Sequence, residues 1–240
     1  MQKVDDIVDK KTSKKLLVVL CAVIVMGLIA VAIYLGVPKQ DSASIDDKLQ
    51  EIYISTSHNY VNSLFGEPKI SVKESDTLRS NFYLLDDAVL RTVTEDDSVV
   101  AFFITSKTEE NKITVTSIES EEVIGEASFL VTEFPNPEIE ANFSGNGRYN
   151  YYAEIQGTGR YAMYNYYVFA TLPYGFLDDE SAELCRQFSQ EEPVAIESVE
   201  SLRDKATPNT FGVIADGYEE KITIIPEVNN WADIYYLLTK

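Results

Sequence analysis

The longest hydrophobic segment of the chain, residues 16–37, contains no charged side chain. An α-helix rises about 1.5 Å per residue, so a helix of this length spans roughly 33 Å and could cross a bilayer core of about 30 Å. Four lysines, Lys10, Lys11, Lys14 and Lys15, precede the segment, and mainly acidic residues follow it. The positive-inside rule therefore predicts a single-pass transmembrane helix with a cytoplasmic N-terminus and a C-terminal domain outside the cytoplasmic membrane.

A cleaved signal peptide is the alternative interpretation of this segment. Its apolar region would be about 7–15 residues long, shorter than the one here, although Ser42-Ala43-Ser44 has the small residues of a cleavage site. With a retained anchor, the predicted parts are a basic tail over 1–15, a transmembrane helix over 16–37, a linker over 38–44, a first helix–sheet unit over 45–120 and a second, sheet-rich unit with C-terminal helices and strands over 121–240.

Beyond the anchor, apolar residues first recur at three- and four-residue spacing, which is typical of an amphipathic helix. Ser44 and Asp47 have the spacing of a capping box, and Gly66 followed by Pro68 predicts the end of the helix. We therefore predict one helix from residue 44 to about residue 65. Its apolar stripe consists of Leu49, Ile52, Tyr53, Tyr60, Val61 and Leu64.

Segments rich in β-branched and aromatic residues follow, separated by acidic turns, and this pattern predicts an antiparallel meander. The predicted strands are 81–85, 88–94, 98–105 and 112–118. A hairpin is predicted from strands 148–156 and 160–172, with its turn at Gly157-Thr158-Gly159. Beyond the hairpin, helices are predicted over 179–190 and 197–205, and strands over 211–214 and 221–225. The last segment, 231–238, suits a helix or a strand equally. The pattern predicts an α+β fold with helices packed on antiparallel sheets.

A weak internal repeat relates residues 63–74 to residues 122–133, with four identities in twelve positions. Two tandem helix–sheet units would explain the repeat, and chance similarity explains it equally well.

The formal net charge of the chain is −19 at pH 7. Such a surface repels phosphate backbones, so the charge argues against nucleic-acid binding. It suits a cationic partner, or simply keeps an exported domain dispersed. Cys185 is the only cysteine after residue 37, which excludes an internal disulfide in the domain.

Catalytic and metal-binding patterns are missing from the sequence. His58, the one histidine, falls away from the predicted apolar stripe and is expected to face water, and it cannot form a zinc site alone. Cys185 lies in a predicted helix and is expected to be a buried structural residue. Phosphate-binding loops, nucleophile elbows and calcium loops do not occur. We therefore expect no catalytic residue, no cofactor and no metal.

Tyrosines are concentrated within residues 149–174, where eight of them occur. A face carrying Tyr151, Tyr164 and Tyr166 is the candidate binding surface. Tyrosine is favoured in protein interfaces and stacks on sugars, while strand propensity alone also recruits it. Structural packing, protein contact and glycan contact therefore remain three interpretations.

The segment HNYVNSLFGEP, ahead of predicted strands, resembles the helix–sheet module of SmpA/BamE-type envelope lipoproteins and of β-lactamase inhibitory proteins. The chain from Asp46 to about Ile225, including Pro208-Asn209-Thr210-Phe211-Gly212, also resembles an uncharacterised bacterial family of single-pass membrane proteins. A lipid-bearing cysteine is missing, and Ala127 replaces the proline of the motif in the second unit. The resemblance implies an α+β, protein-contacting domain and supplies no catalytic residue.

The predicted function is noncatalytic binding of another envelope or surface protein by a membrane-anchored domain. Cell-wall glycan binding through the tyrosine hairpin is the first alternative. A carboxylate-dependent hydrolase is the second, because such chemistry needs only two carboxylates about 5–10 Å apart in a closed pocket.

Overall fold

The computed structural model describes residues 44–108, 112–116, 121–126, 128–129, 134, 137–142, 151–160, 163–172, 179–188 and 196–224. All of them belong to one compact unit, Ala43–Lys240. The predicted anchor and the segment 231–238 lie outside the described residues.

The described residues form four helices and ten strands. The helices are α1 (Ile45–Leu49), α2 (His58–Phe65), α3 (Asp179–Phe188) and α4 (Ile196–Lys205). The strands are β1 (Ile70–Lys73), β2 (Leu78–Leu84), β3 (Ala88–Glu95), β4 (Ser98–Ser106), β5 (Ile113–Thr116), β6 (Glu121–Ile124), β7 (Glu138–Asn142), β8 (Tyr151–Arg160), β9 (Met163–Thr171) and β10 (Thr210–Ala215).

Eight of these strands form one antiparallel sheet in the order β1-β2-β3-β4-β10-β9-β8-β7, and β5 pairs with β6 in a separate two-stranded sheet. The late strand β10 enters between β4 and β9, so that Phe211 lies opposite both Ile104 and Phe169. Strands from both predicted units therefore share one sheet. The division into tandem units stays a prediction.

The predicted fold class is wrong. The protein is mostly β, because a large antiparallel sheet dominates the described residues and the four helices among them are short. The single helix predicted over 44–65 is instead two short helices, and in the segment between them Ser55 has a left-handed φ of 76°, which an α-helix does not contain. Its N–H donates to the carbonyl of Val99, and the N–H of Val99 donates to the carbonyl of Thr56, both at 2.8 Å. The backbone of this segment thus pairs with β4 instead of continuing a helix.

The transmembrane, single-pass prediction is also corrected. A crossing helix needs about 20 consecutive apolar residues, and among the described residues no helix is both long enough and apolar enough to span a membrane. The segment that motivated the prediction, residues 16–37, lies outside the described residues. The structure therefore does not support a transmembrane helix, nor the location in the cytoplasmic membrane derived from it.

Several local predictions are confirmed. Ser44 and Asp47 form the reciprocal capping box at the start of α1, and Gly66, with a φ of 81°, ends α2. The hairpin of β8 and β9 exists, but its turn is misplaced, because Gly157 lies within the ladder opposite Tyr166. The strand predicted over 221–225 is not formed by its described residues.

Each face of the large sheet carries its own core, because side chains alternate between the two faces along every strand. We call the first the helix-side core; it includes Leu49, Val61, Tyr83, Leu90, Phe102, Ile104, Val115, Tyr152, Phe169, Leu202 and Phe211. The second, the strap-side core, includes Leu78, Val93, Ala101, Phe103, Val168, Ala170, Ile214, Ile222 and Ile224. Residues 216–224, the C-terminal strap, cover this second face.

Buried Arg91 holds the strap in place. Its guanidinium donates to the carbonyl oxygens of Thr223 at 2.8 Å and Ile224 at 2.9 Å. The same group forms an ion pair with Glu74 at 2.7 Å and lies 5.0 Å from the centre of the Phe103 ring. Two carbonyl groups near the end of the strap are therefore bound by one side chain instead of a strand ladder.

Candidate binding site

Two of the three tyrosines predicted as a binding surface are neighbours. Tyr164 and Tyr166 lie on the same face of β9, and their ring centres are 5.5 Å apart. Tyr151 is at the opposite end of the hairpin, where its neighbour Tyr152 pairs with Thr171. At about 3.4 Å per residue, this places Tyr151 roughly 20 Å along the hairpin from Tyr166. The side chain of Tyr151 lies outside the described residues.

The Tyr164 and Tyr166 rings do not form a flat platform. Their planes are 78° apart, and both side chains are half-buried. They pack over Gly157, where an added Cβ would lie 2.7 Å from the Tyr164 hydroxyl. Burial, with the nearby Glu219 carboxylate as the next cause, raises the pKa of Tyr166. Packing therefore occupies part of this surface, and its role in glycan or protein contact stays a prediction.

A better-defined site is a cavity of about 180 Å³ on the helix-side face of the sheet. It lies where α1 and β5 meet β4 and β10, which are the two central strands of the sheet. Four segments supply its lining: Leu49, Gln50 and Ile52; Phe102 and Ile104 of β4; Thr114, Val115 and Thr116 of β5; and Phe211 of β10.

The central strands create the apolar wall of the cavity. Phe102 and Ile104 lie on the same face of β4 because they are two residues apart, and the hydrogen-bonded ladder places Phe211 of β10 opposite Ile104. The Phe102 and Phe211 rings meet edge to face, with centres 6.4 Å apart. All three side chains are buried, so the wall is fixed by the packing of the sheet.

The cavity stays open because α1 is too short to cover it. The helix ends at Leu49, and the N–H of Ile52 then donates to the Leu49 carbonyl in a turn that returns the chain to the core. Gln50 and Thr116 are exposed beside the cavity, and Thr114 is half-buried. The cavity thus reaches the surface between the end of α1 and the strand β5.

The cavity lining contains no ionisable side chain. Its polar groups are the amide of Gln50 and the hydroxyls of Thr114 and Thr116. These groups can hydrogen-bond a neutral or charged partner, but they offer no general acid or base near neutral pH. The arrangement can accept an apolar group and fix the orientation of what is attached to it.

His58 does not have the plain surface position that the sequence predicts. It is half-buried, with Nδ1 3.3 Å from the Tyr83 hydroxyl and Nε2 3.3 Å from the Asn62 amide nitrogen. The Tyr83 hydroxyl donates to Asn62 Oδ1 at 2.7 Å, and burial raises the pKa of Tyr83 to about 12. Because Tyr83 donates to Asn62, the His58 Nδ1–H is the donor to Tyr83. This closed arrangement ties α2 to β2.

The two carboxylates that the hydrolase alternative requires are not present in the lining of this cavity. Asp96 and Asp97 occupy the turn between β3 and β4 with φ values of 47° and 69°. Fully buried Glu154 accepts a hydrogen bond from Tyr152 at 2.7 Å and forms an ion pair with Arg203 at 2.7 Å. In the part of the chain that the structure describes, no group of three His, Cys, Asp or Glu side chains could hold a metal ion. The side chain of Cys185 lies outside that part.

Sequence reasoning missed every residue that lines the cavity. Leu49 and Ile52 were assigned to a continuous helical stripe, and Phe102 and Phe211 resemble ordinary strand residues. The juxtaposition of β10 with β4 brings together residues that are more than a hundred positions apart in the chain, and no local signal reports it. The positive φ of Ser55, which is incompatible with one helix through this segment, is equally unmarked by the sequence.

No protein-family model and no curated protein matches this chain. Among solved structures, the chain is similar to an extracellular protein containing a SCP domain from Bacillus anthracis strain Ames, with 10% sequence identity and a TM-score of 0.38. The match covers 75% of this chain and 49% of that protein, so the chain spans about half of its length. At this TM-score the likeness supports no statement about the fold or function of this chain.

Proposed function

We propose that this protein is a noncatalytic protein-binding domain whose binding site is the cavity between α1 and β5. The cavity is the observation that carries the proposal. Pockets for drug-sized ligands measure about 300–1,000 Å³, whereas this cavity holds about 180 Å³. That volume suits one side chain of a larger partner better than a whole metabolite.

The surroundings of the cavity support a protein as the ligand. Interface residues that carry most of the binding free energy insert into well-packed, desolvated pockets, and polar groups surround them. The buried wall of Phe102, Ile104 and Phe211 provides such a pocket, and Gln50, Thr114 and Thr116 provide the polar surround. The lack of ionisable groups in the lining supports binding rather than chemistry.

Site-specific photocrosslinking of the full chain in its native host tests this function. A photoreactive p-benzoylphenylalanine is introduced by Gln50→p-benzoylphenylalanine beside the cavity, and by Ser71→p-benzoylphenylalanine on the edge strand β1 as a control. Both positions are exposed. We expect crosslinks to one protein from position 50 and not from position 71. Equal capture from both positions, or none from position 50, would reject the cavity as a protein-binding site.

A further inference from the structure

Resting on the proposed function, we propose that the cavity takes a single aromatic side chain of phenylalanine size from a partner segment that carries basic residues beside it. Size is the first argument. An apolar protein cavity of about 150 Å³ holds one benzene molecule, and this cavity measures about 180 Å³. One six-membered ring fills most of that space and leaves little for a second group.

The aromatic wall favours a ring over an aliphatic group of the same size. Aromatic pairs prefer edge-to-face or offset contacts with ring centres about 4.5–7 Å apart. Phe102 and Phe211 already meet at 61°, so a third ring can contact the face of one and the edge of the other. Phe211 is held in place by Phe169, with ring centres 5.3 Å apart, so the site does not have to form when the partner arrives.

Charge complementarity points to basic residues beside that ring. The chain carries a net charge of −19, which favours association with cationic segments. Close to the cavity, Asp46 lies one helical turn before Gln50 on the same side of α1. The neighbouring Asp47 is engaged in the capping box with Ser44. Asp46 thus offers a carboxylate to a lysine or arginine adjacent to the inserted ring.

Peptide titrations monitored by methyl NMR of the full chain test this inference. The probes are Ac-Lys-Phe-Lys-NH2, the anchor control Ac-Lys-Ala-Lys-NH2 and the charge control Ac-Glu-Phe-Glu-NH2. We expect the first peptide to shift the methyl signals of Ile104 and Val115. The alanine peptide should bind about tenfold more weakly or worse, because it lacks the group that fills the pocket. The acidic peptide should also bind more weakly, and that difference should shrink as salt is added.

Variants at the cavity show whether the shifts report insertion. Val115→Phe fills the cavity and should abolish binding of Ac-Lys-Phe-Lys-NH2, while Val115→Ala enlarges it and should retain binding. Val72→Phe, the same substitution on the half-buried edge strand β1, is the matched control and should bind as the wild type does. If Val115→Phe does not fold, Gln50→Trp blocks the cavity from its exposed side and should have the same effect.

Equal binding of the phenylalanine and alanine peptides, or unchanged binding to Val115→Phe and Gln50→Trp, would overturn the inference. Failure here remains distinguishable from failure of the proposed function. If position 50 still crosslinks one protein while the aromatic peptide does not bind, protein binding stands and the aromatic anchor is rejected. If the aromatic peptide binds but no protein is captured from position 50, the chemistry of the cavity stands and the proposed function is rejected.

Discussion

The contact between Arg91 and the C-terminal strap predicts a large loss of stability on replacing one side chain. Arg91 is 4% exposed, and its guanidinium bonds two strap carbonyls, the Ser80 hydroxyl and the Glu74 carboxylate. Arg91→Met removes all of these hydrogen bonds but keeps most of the apolar stem. The substitution leaves Glu74 as a largely buried carboxylate without its cation, since its side chain is 11% exposed.

The expected magnitude follows from these contacts. Removing one partner of a buried ion pair costs about 3–5 kcal/mol, and hydrogen bonds to a charged group contribute about 1.5–3 kcal/mol each. The strap can move towards water and partly rehydrate its carbonyls, so we expect Arg91→Met to lower the free energy of unfolding by about 4 kcal/mol. Glu74→Gln keeps a hydrogen-bond acceptor and should cost about 2 kcal/mol.

The double variant separates the ion pair from other effects. Once Arg91 is gone, Glu74→Gln removes an unpaired charge, so the double variant should be more stable than the sum of the single effects by about 2 kcal/mol. The assay is urea unfolding monitored by far-ultraviolet circular dichroism. Lys73→Met, which breaks the exposed pair with Asp76, is the control and should unfold like the wild type. Additive single effects, or an Arg91→Met variant as stable as the wild type, would refute the role of Arg91 as the strap's anchor.

Three further predictions concern single positions. Burial raises the folded-state pKa of Tyr83 to about 12 from 10.0, so the free energy of unfolding that this shift contributes is complete below pH 10 and is lost as pH rises through 12. In urea unfolding at alkaline pH, Tyr83→Phe should therefore flatten the dependence of the free energy of unfolding on pH between those values. An unchanged slope would contradict the burial of the hydroxyl. Gly212→Ala would place a Cβ 2.3 Å from the buried Phe103 ring and should lower the free energy of unfolding by about 1–3 kcal/mol. Gly157→Ala meets movable tyrosine rings and should lower it less. Equal losses in the two variants would argue against rigid packing at β10. Ser55→Gly relieves the strain of a left-handed backbone conformation and should raise the free energy of unfolding by about 0.5–1 kcal/mol. A variant that is less stable than the wild type in thermal or urea unfolding would show that the serine is not strained.

Local signals in the sequence predicted local structure well. The capping box of Ser44 and Asp47 and the stop at Gly66 are formed because they depend only on neighbouring residues. The strands β3, β4 and β10 and the helices α3 and α4 also follow from periodicity and turn residues.

The predicted fold class is wrong because long-range strand pairing overrides a local helical pattern. The stripe of apolar residues between Leu49 and Leu64 favours one helix, but the hydrogen bonds of Ser55 and Thr56 with Val99 split it into two short helices. Helical periodicity cannot report a competing strand about forty residues away. The same limitation concealed the cavity, because its wall exists only once β10 lies beside β4.

The tyrosine surface is predicted from composition alone, and its role in binding stays a prediction. A run of tyrosines suggests a binding face, yet Tyr164 and Tyr166 pack over Gly157, and Tyr151 lies at the far end of the hairpin. The cavity lining consists of residues that are common in any β-rich core, such as Phe102 and Val115. Composition could therefore predict neither the position nor the size of the cavity.

The affinity of the protein crosslinked from position 50, measured by isothermal titration calorimetry, tests the binding site most directly. The wild type, Val115→Phe and Val72→Phe are compared under the same salt and pH. Filling the cavity should weaken binding about tenfold or more, while the same substitution on β1 should leave it unchanged. If Val115→Phe folds and binds the partner as tightly as the wild type does, the cavity between α1 and β5 is not the binding site.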